Sequence, residues 1–317
     1  MNSKKNILIT GGAGYIGSSL AWSLDRKFNI IILDDLSCGI KANISDKWKF
    51  YKNSILNKKI LKKIFSENKI SIVIHAAAKI SVSESEVKKK LYNDVNYVGT
   101  KNLILEAKKH KSVEHFIFSS SAAVYGNPKY LPIDEKHPKK PINFYGKTKL
   151  KSENFILNQK KQFKKISILR YFNVSGIANN YKSGISNIRN PNIISKICIF
   201  FKQKKKIKIF YENSKSKKFP ERDFIHIKDI IKIYRYLIFK NKKKLNIINC
   251  CSSKKLSLLT IINLIEKKLR KKINYKLKEL PKNECLKIFG TKPKILLKTQ
   301  SHASLINSTV NWHLKIK

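Results

Sequence analysis

The sequence predicts an α/β fold, a doubly wound parallel sheet followed by a smaller C-terminal lobe. Three observations predict it. Short apolar runs bounded by turns alternate with segments of helical spacing through the first half of the chain. A glycine-rich turn joins the first run to the first helix. At 317 residues the chain is long enough for one large α/β domain and a small lobe.

The apolar runs are Ile7–Thr10, Asn29–Leu33, Ser71–His75, His115–Ser119 and Ile166–Tyr171. Nearly continuous runs of this length suit strands covered by helices on both faces. Between them, helical spacing appears in Ile16–Leu24, Ile60–Phe65, Val95–Ala107 and Lys147–Leu157. Repeated β-α-β units wind a parallel sheet whose ligands lie beyond the C-terminal ends of its strands. The alternation weakens after about Val174. Residues 176–189 read as loop, then a helix over Ile193–Phe201, a strand over Ile207–Tyr211, a Lys/Ser-rich loop at 214–218 and mixed pieces to the end. The expected division is 1–175 for a dinucleotide-binding domain with catalytic residues. Residues 176–317 form mainly a substrate-binding lobe, some segments of which can return to the sheet.

Composition narrows the function. Hydrophobic residues at 42% and aromatics at 10% exclude a wholly disordered chain despite 28% charge. Net charge is +48, yet only six of the 68 basic residues are Arg. A nucleic-acid interface recruits Arg for its bidentate fork, whereas this Lys, Asn and Ile excess runs along the whole chain. It reads as coding bias with no specific nucleic-acid partner, although the field attracts polyanions and speeds the approach of an anionic substrate. The five cysteines have no C-x-x-C or Cys/His ligand spacing and read as thiols of a reducing compartment, with no metal site. No run of about eighteen apolar residues predicts a membrane span, and the N-terminus leads straight into the first strand. The expected location is the cytoplasm.

Gly11-Gly12-Ala13-Gly14-Tyr15-Ile16-Gly17 follows the first strand and opens the first helix. Gly11 permits the tight turn, Gly14 removes a side chain that would block a pyrophosphate, and Gly17 allows close helix–strand packing. Tyr15 and Ile16 begin the helix, whose free N–H groups and positive end favour phosphates. Asp34 ends the second strand, where a carboxylate accepts both hydroxyls of an adenosine ribose. A 2′-phosphate would meet like charge there, so the expected cofactor is NAD and not NADP. Asp35 is the neighbouring alternative.

Tyr145 and Lys149 stand four apart and share a helix face. A free phenol has a pKa near ~10, so about one in a thousand is ionised at neutral pH. A nearby ammonium and an oxidised nicotinamide favour the phenolate. A fall of about three units takes roughly 4 kcal/mol of differential interaction and makes Tyr145 a general base. Lys149 also has an ammonium free for the nicotinamide ribose. Ser121, in Phe118-Ser119-Ser120-Ser121-Ala122-Ala123-Val124-Tyr125-Gly126, closes a strand and can hydrogen-bond the hydroxyl that loses its proton. His75, at another strand end, reads as a hydrogen-bonded core histidine.

These motifs, in this order, with Arg170-Tyr171-Phe172-Asn173, resemble the extended short-chain dehydrogenase/reductase family, and within it the UDP-hexose 4-epimerases. The resemblance runs from residue 6 to about 175 and then thins. It implies a Rossmann domain, a tightly held NAD, a UDP-sugar substrate and a homodimer built on two helices per subunit. Further cofactor contacts it implies are Ser54, Ile55, Ala76, Ala77, Ala78, Asn96, Ser119 and Tyr171. Asn96 also reads as a residue that orders the Ser/Tyr region through backbone contacts, or as one that stabilises the helix it opens. For the substrate it implies Asn173, Asn192 and Ile193 near the pyrophosphate, Phe210 beside the uracil, and Arg222 on phosphate. Ser54 stands where the family commonly has an Asp, Ile80 where several relatives carry Lys, and Pro281-Lys282-Asn283-Glu284 where a second phosphate-binding Arg is common.

Sister 4,6-dehydratases carry carboxylates after the equivalent serine, and this chain has Ala122-Ala123. What remains is oxidation and reduction at C4, which returns the hydride to the other face and leaves NAD unchanged. The implied activity is therefore 4-epimerisation of UDP-glucose and UDP-galactose. An N-acetylated or uronic UDP-sugar is the near alternative, and a non-catalytic dinucleotide-binding regulatory protein is the alternative of another class.

Overall fold

The computed structural model describes residues 4–178, 182–184, 191–213, 215–216, 218–280 and 285–315. Ile7, Leu8, Ile9 and Thr10 are fully buried in β1 (Asn6–Thr10), the strand at the centre of the fold. It pairs on one side with β2 (Asn29–Asp34) and through it with β3 (Lys49–Lys52). On the other side follow β4 (Ile70–His75), β5 (His115–Ser121), β6 (Lys165–Tyr171) and β10 (Leu245–Cys250). All seven are parallel, in the order β10-β6-β5-β4-β1-β2-β3. The winding reverses between β1 and β4, and that reversal opens a crevice at their C-terminal ends.

Period-two alternation sorts the side chains of these strands into two layers. Ile7, Ile9, Ile32 and Ile74 pack with α1 (Tyr15–Leu24) and α8 (Ile227–Phe239). Leu8, Leu33, Val73, Phe116 and Phe118 pack on the other face with α2 (Lys58–Glu67), α5 (Gly99–Ala107) and α6 (Phe144–Asn158). The short helices α3 (Val82–Val87) and α4 (Lys89–Asn93) lead through a wider turn, Asp94–Val98, into α5. The expected fold class is the observed one.

The second half is not confined to a lobe, because β10 completes the sheet and α8 covers it. The remaining segments gather around β9 (Glu221–His226), which pairs with β7 (Asn173–Ser175), β11 (Lys255–Ser257) and β13 (Lys287–Ile288). A separate ribbon joins β8 (Ile207–Tyr211) to β12 (Tyr275–Glu279). Helices α7 (Ile193–Lys202), α9 (Leu258–Leu269) and α10 (His302–Lys315) close a third core with Ile194, Ile197, Ile209, Ile262, Ile265, Leu305 and Val310. Residues 281–284, where Lys282 was of interest, lie outside the described residues, as do parts of the segments 176–189 and 214–218.

Candidate active site

The glycine turn is shaped by contact. Gly11 has φ +69°, and a Cβ there would lie 2.6 Å from the nitrogen of Ala77. A Cβ on Gly17 would lie 2.3 Å from the carbonyl oxygen of Gly11. Helix, turn and the end of β4 therefore meet at backbone distance. No side chain caps the start of α1, so its first N–H groups face the crevice unmatched by a cap. Asp34 braces the turn, its carboxylate accepting from the N–H of Ala13 at 3.0 Å and of Leu36 at 2.8 Å. Burial pushes its pKa up, and those two N–H donors pull it back.

A cavity of about 510 Å³ runs from this turn across the strand ends. Gly11, Gly14, Tyr15, Ile16 and Gly17 form its phosphate-sized wall, and Asp34, Asp35, Ser54 and Ile55 one end. Ala76, Ala77 and Ala78 lie under its middle. Ser119, Ser121, Tyr145, Lys149 and Tyr171 form the opposite wall, beside Asn173, Asn192 and Ile193. The sequence-predicted residues converge there with three exceptions. Asn96 does not line the cavity: it is buried behind the wall, bonded to both backbone groups of Lys79 and to the Thr148 hydroxyl. These contacts tie the segment after β4 to α6, behind the wall that carries Tyr145. Phe210, on the β8–β12 ribbon, does not line the cavity either. Arg222 points along β9 and donates to the carbonyls of Glu221 and Leu286.

Other residues line the cavity that the sequence reading missed. Ser37, Cys38, Gly39 and Asn43 come from the loop after β2, which folds back on the glycine turn through the bond from Asn43 Nδ2 to the Ala13 carbonyl at 3.0 Å. Lys79 is the more telling omission. It lines the cavity beside Ile80, the position marked as lacking a lysine, and reaches Ser37 Oγ at 3.1 Å. Lys79 directly follows three alanines at a strand end.

Three side chains one helical turn apart fasten α6 to β5. The Tyr145 phenol faces Ser121, whose hydroxyl acts on it, Lys149 Nζ donates to the Ser119 carbonyl at 2.8 Å, and Glu153 accepts from Ser120 Oγ at 2.5 Å. The helix start is capped from three directions. Asn143 Oδ1 accepts from Gly146 N, Glu86 from Phe144 N and Ser85 Oγ from Tyr145 N. Tyr145 is thus held by its backbone as well as its ring.

Electrostatics depart from the expectation of a phenol pulled toward its anion by Lys149. Burial pushes the Tyr145 phenol up, with only the Ser121 bond acting against it. Burial also brings the Lys149 ammonium down to about 7, with Glu153 opposing. Lys149 Nζ sits 6.0 Å from the Tyr145 ring centroid and spends its bond on Ser119. In this dry wall desolvation outweighs the pair attraction. His75 is a core residue, as read: its ring bonds the hydroxyls of Thr10 and Thr100 at 2.7 and 2.8 Å.

The residues fit NAD. The glycine backbone leaves a wall no Cβ could share, helix N–H groups face it, the Asp34 carboxylate lines one end of the cavity, and an ammonium and a phenol lie at the far end.

Comparison with known proteins agrees. Residues 7–251 match the NAD dependent epimerase/dehydratase family. The chain is 36% identical over 244 residues to a UDP-glucose 4-epimerase of Lactobacillus helveticus, covering 76% of this chain and 73% of that one. The solved UDP-glucose 4-epimerase of Bifidobacterium longum in complex with NAD+ and UDP superposes with a TM-score of 0.89 at 26% identity, covering 98% of this chain and 99% of that one. The UDP-Glc/GlcNAc 4-epimerase of Campylobacter jejuni superposes at 0.81 with 29% identity, again covering 98% and 99%.

Proposed function

Because the chain belongs to the NAD dependent epimerase/dehydratase family, we propose that it is an NAD-dependent UDP-hexose 4-epimerase, interconverting UDP-glucose and UDP-galactose through a transient 4-keto sugar. One observation carries the reading. Ser121, Tyr145 and Lys149 stand together on the wall opposite the glycine turn, at the end of one cavity.

NAD bound there supplies the hydride acceptor and donor that oxidation and reduction at C4 require. The residues of the chain do the rest. Tyr145 takes the proton of the sugar 4-hydroxyl and returns it after the sugar has turned over. Ser121 bridges that hydroxyl and the phenol, so the proton has a short path. The same Ser121 bond is what favours the phenolate within the protein. Lys149 holds a positive charge near the phenol and a donor for the nicotinamide ribose. Asp34 takes the adenosine ribose, and Gly14, Tyr15 and Ile16 the pyrophosphate. Asn173, Asn192 and Ile193 face the UDP-sugar. Ala122 and Ala123 bring no acid or base to C5 or C6, which leaves C4 chemistry.

The Campylobacter jejuni neighbour favours a second substrate, a UDP-N-acetylhexosamine. Purified protein incubated with UDP-galactose and catalytic NAD should yield UDP-glucose, and UDP-N-acetylglucosamine in a parallel reaction decides between the two sugars. No turnover of either sugar with NAD bound favours the regulatory reading instead.

We read the enzyme as a cytoplasmic homodimer. None of the five cysteines is joined in a disulfide, which supports a reducing compartment. Among the described residues no helix is long and apolar enough to cross a membrane. Val82, Val87 and Leu91, on α3 and α4, are 45%, 84% and 37% exposed, and this apolar surface beside α6 supports a subunit contact. Sedimentation giving a monomer at micromolar concentration would exclude the dimer.

A further inference from the structure

Glu153 sits two helical turns beyond Tyr145 and one beyond Lys149, on the same buried face of α6, with 0% exposure. Its carboxylate is gripped as a fork by Arg170, at 3.0 Å from Nε to Oε1 and 2.8 Å from Nη2 to Oε2. Ser120 of β5 adds a third bond. Arg170, 1% exposed, passes its remaining donors to the Tyr125 hydroxyl at 2.9 Å and the Glu135 carbonyl at 3.2 Å, and Tyr125 donates on to Asn249 Oδ1 at 2.6 Å. Nothing in the epimerisation scheme uses this group.

Its surroundings suggest why it is there. Around Lys149 the chain places the Phe118 ring, the Ser119 carbonyl, the Tyr145 phenol, neutral His75 on β4 and, past Ser119, the hydroxyls of Tyr171 and Tyr234. Glu153 is the one carboxylate among the described groups that acts on Lys149, and Arg170 holds it in place. We infer that Glu153 is a positioning residue for the reaction: it pins the helix that carries Tyr145 to strand β5 and supplies the negative charge that keeps Lys149 an ammonium in a dry wall. The effect on Lys149 has the expected sign, since Glu153 opposes the loss of its proton that burial promotes.

The inference rests on the epimerase reading, and the test separates the two. Glu153→Gln keeps the shape and the acceptor but removes the charge. In holoenzyme turning over UDP-galactose, the high-pH limb of kcat that reports the Lys149 proton should move down by ~1 pH unit, with NAD content unchanged. Nitrogen-15 lysine labelling gives an independent readout, with the Lys149 signal identified as the one lost in Lys149→Met. Its titration midpoint should fall by the same amount. If Glu153→Gln does not fold, Glu153→Gln combined with Arg170→Met leaves no lone buried charge; because the paired cation goes too, the Lys149 midpoint must still fall, but by less. A lower melting temperature with both midpoints unmoved would make Glu153 merely structural and overturn the inference. A wild type without turnover whose Lys149 signal still shifts in the variant would sink the epimerase reading and leave this one standing.

Discussion

The Lys149 ammonium donates to the Ser119 carbonyl at 2.8 Å, while the Tyr145 phenol, one turn earlier, faces the Ser121 hydroxyl. The two side chains of α6 therefore meet different residues of β5, and Lys149 spends its bond on the strand and not on the phenol. Burial moves both toward their neutral forms.

Tyr145→Phe tests the proton step alone, because it removes one oxygen from a side chain whose ring and backbone remain held. Turnover of UDP-galactose should fall by about three powers of ten, within the range general acid–base catalysis contributes. NAD content, read by its absorbance after denaturation, should stay at the wild-type level. Unchanged turnover would remove Tyr145 from the role of base.

Cofactor choice rests on Asp34. Its carboxylate is fixed by Ala13 and Leu36 and still faces the cavity, so a 2′-phosphate meets fixed negative charge. The wild type should bind NAD at least about tenfold more tightly than NADP, a difference of ~1.4 kcal/mol. In Asp34→Asn the ratio should narrow, chiefly through weaker NAD binding. Fluorescence titration with both dinucleotides measures it, and tighter NADP binding by the wild type would contradict it.

The dinucleotide half was legible because its strands are buried on both faces, which makes them apolar runs, and because a backbone turn at this distance admits only glycine. What escaped has physical reasons. Strand β3 reads Lys49-Phe50-Tyr51-Lys52, an edge strand whose outer face meets water. Strand β10 is interrupted by Asn246 and Asn249, polar yet buried because Ser167, Tyr125, Glu135 and the carbonyls of Ile133 and Lys243 satisfy them. Such compensation is tertiary and leaves no periodic mark. Lys79 was hidden among 62 lysines of the same composition. Phe210 and Arg222 were placed by resemblance in the half where the motifs thin, and the chain carries them on β8 and β9, outside the lining of the cavity.

Acid should unfold this protein early. His75 is held down to about 3, and His115, His226 and His313 to about 4, in each case chiefly by burial. A depressed folded pKa contributes stability that is present above the unfolded value near ~6.5 and is lost as pH falls toward the folded one. Each imidazole then costs about 1.4 kcal/mol per pH unit. Urea denaturation between pH 7 and 4.5 should show a steep fall, and His75→Gln, which keeps a polar partner for Thr10 and Thr100, should flatten it. A flat stability profile over that range would mean that these rings take up protons without unfolding.

Asp223 titrates in the opposite sense. Fully buried, it ties β9 to two distant turns, with Oδ1 accepting from Ser252 N at 2.7 Å and Ser252 Oγ at 2.8 Å, and Oδ2 from Ser253 N at 2.9 Å and Gly290 N at 3.4 Å. Burial nevertheless outweighs these donors and pushes its pKa up to about 6. A raised folded pKa contributes stability that is complete below the unfolded value of ~3.9 and is lost as pH rises through the folded one. Asp223→Asn abolishes that titration and turns an NH2 group toward backbone donors, which should cost about 1–3 kcal/mol at pH 5. The histidines are common to both proteins, so their contribution cancels in the difference. Wild type minus variant, from urea midpoints, should therefore narrow by about 1 kcal/mol or more between pH 4 and 6.5 and then level off. A difference that widens with pH would show that the four donors, and not the desolvation, set the charge of this carboxylate.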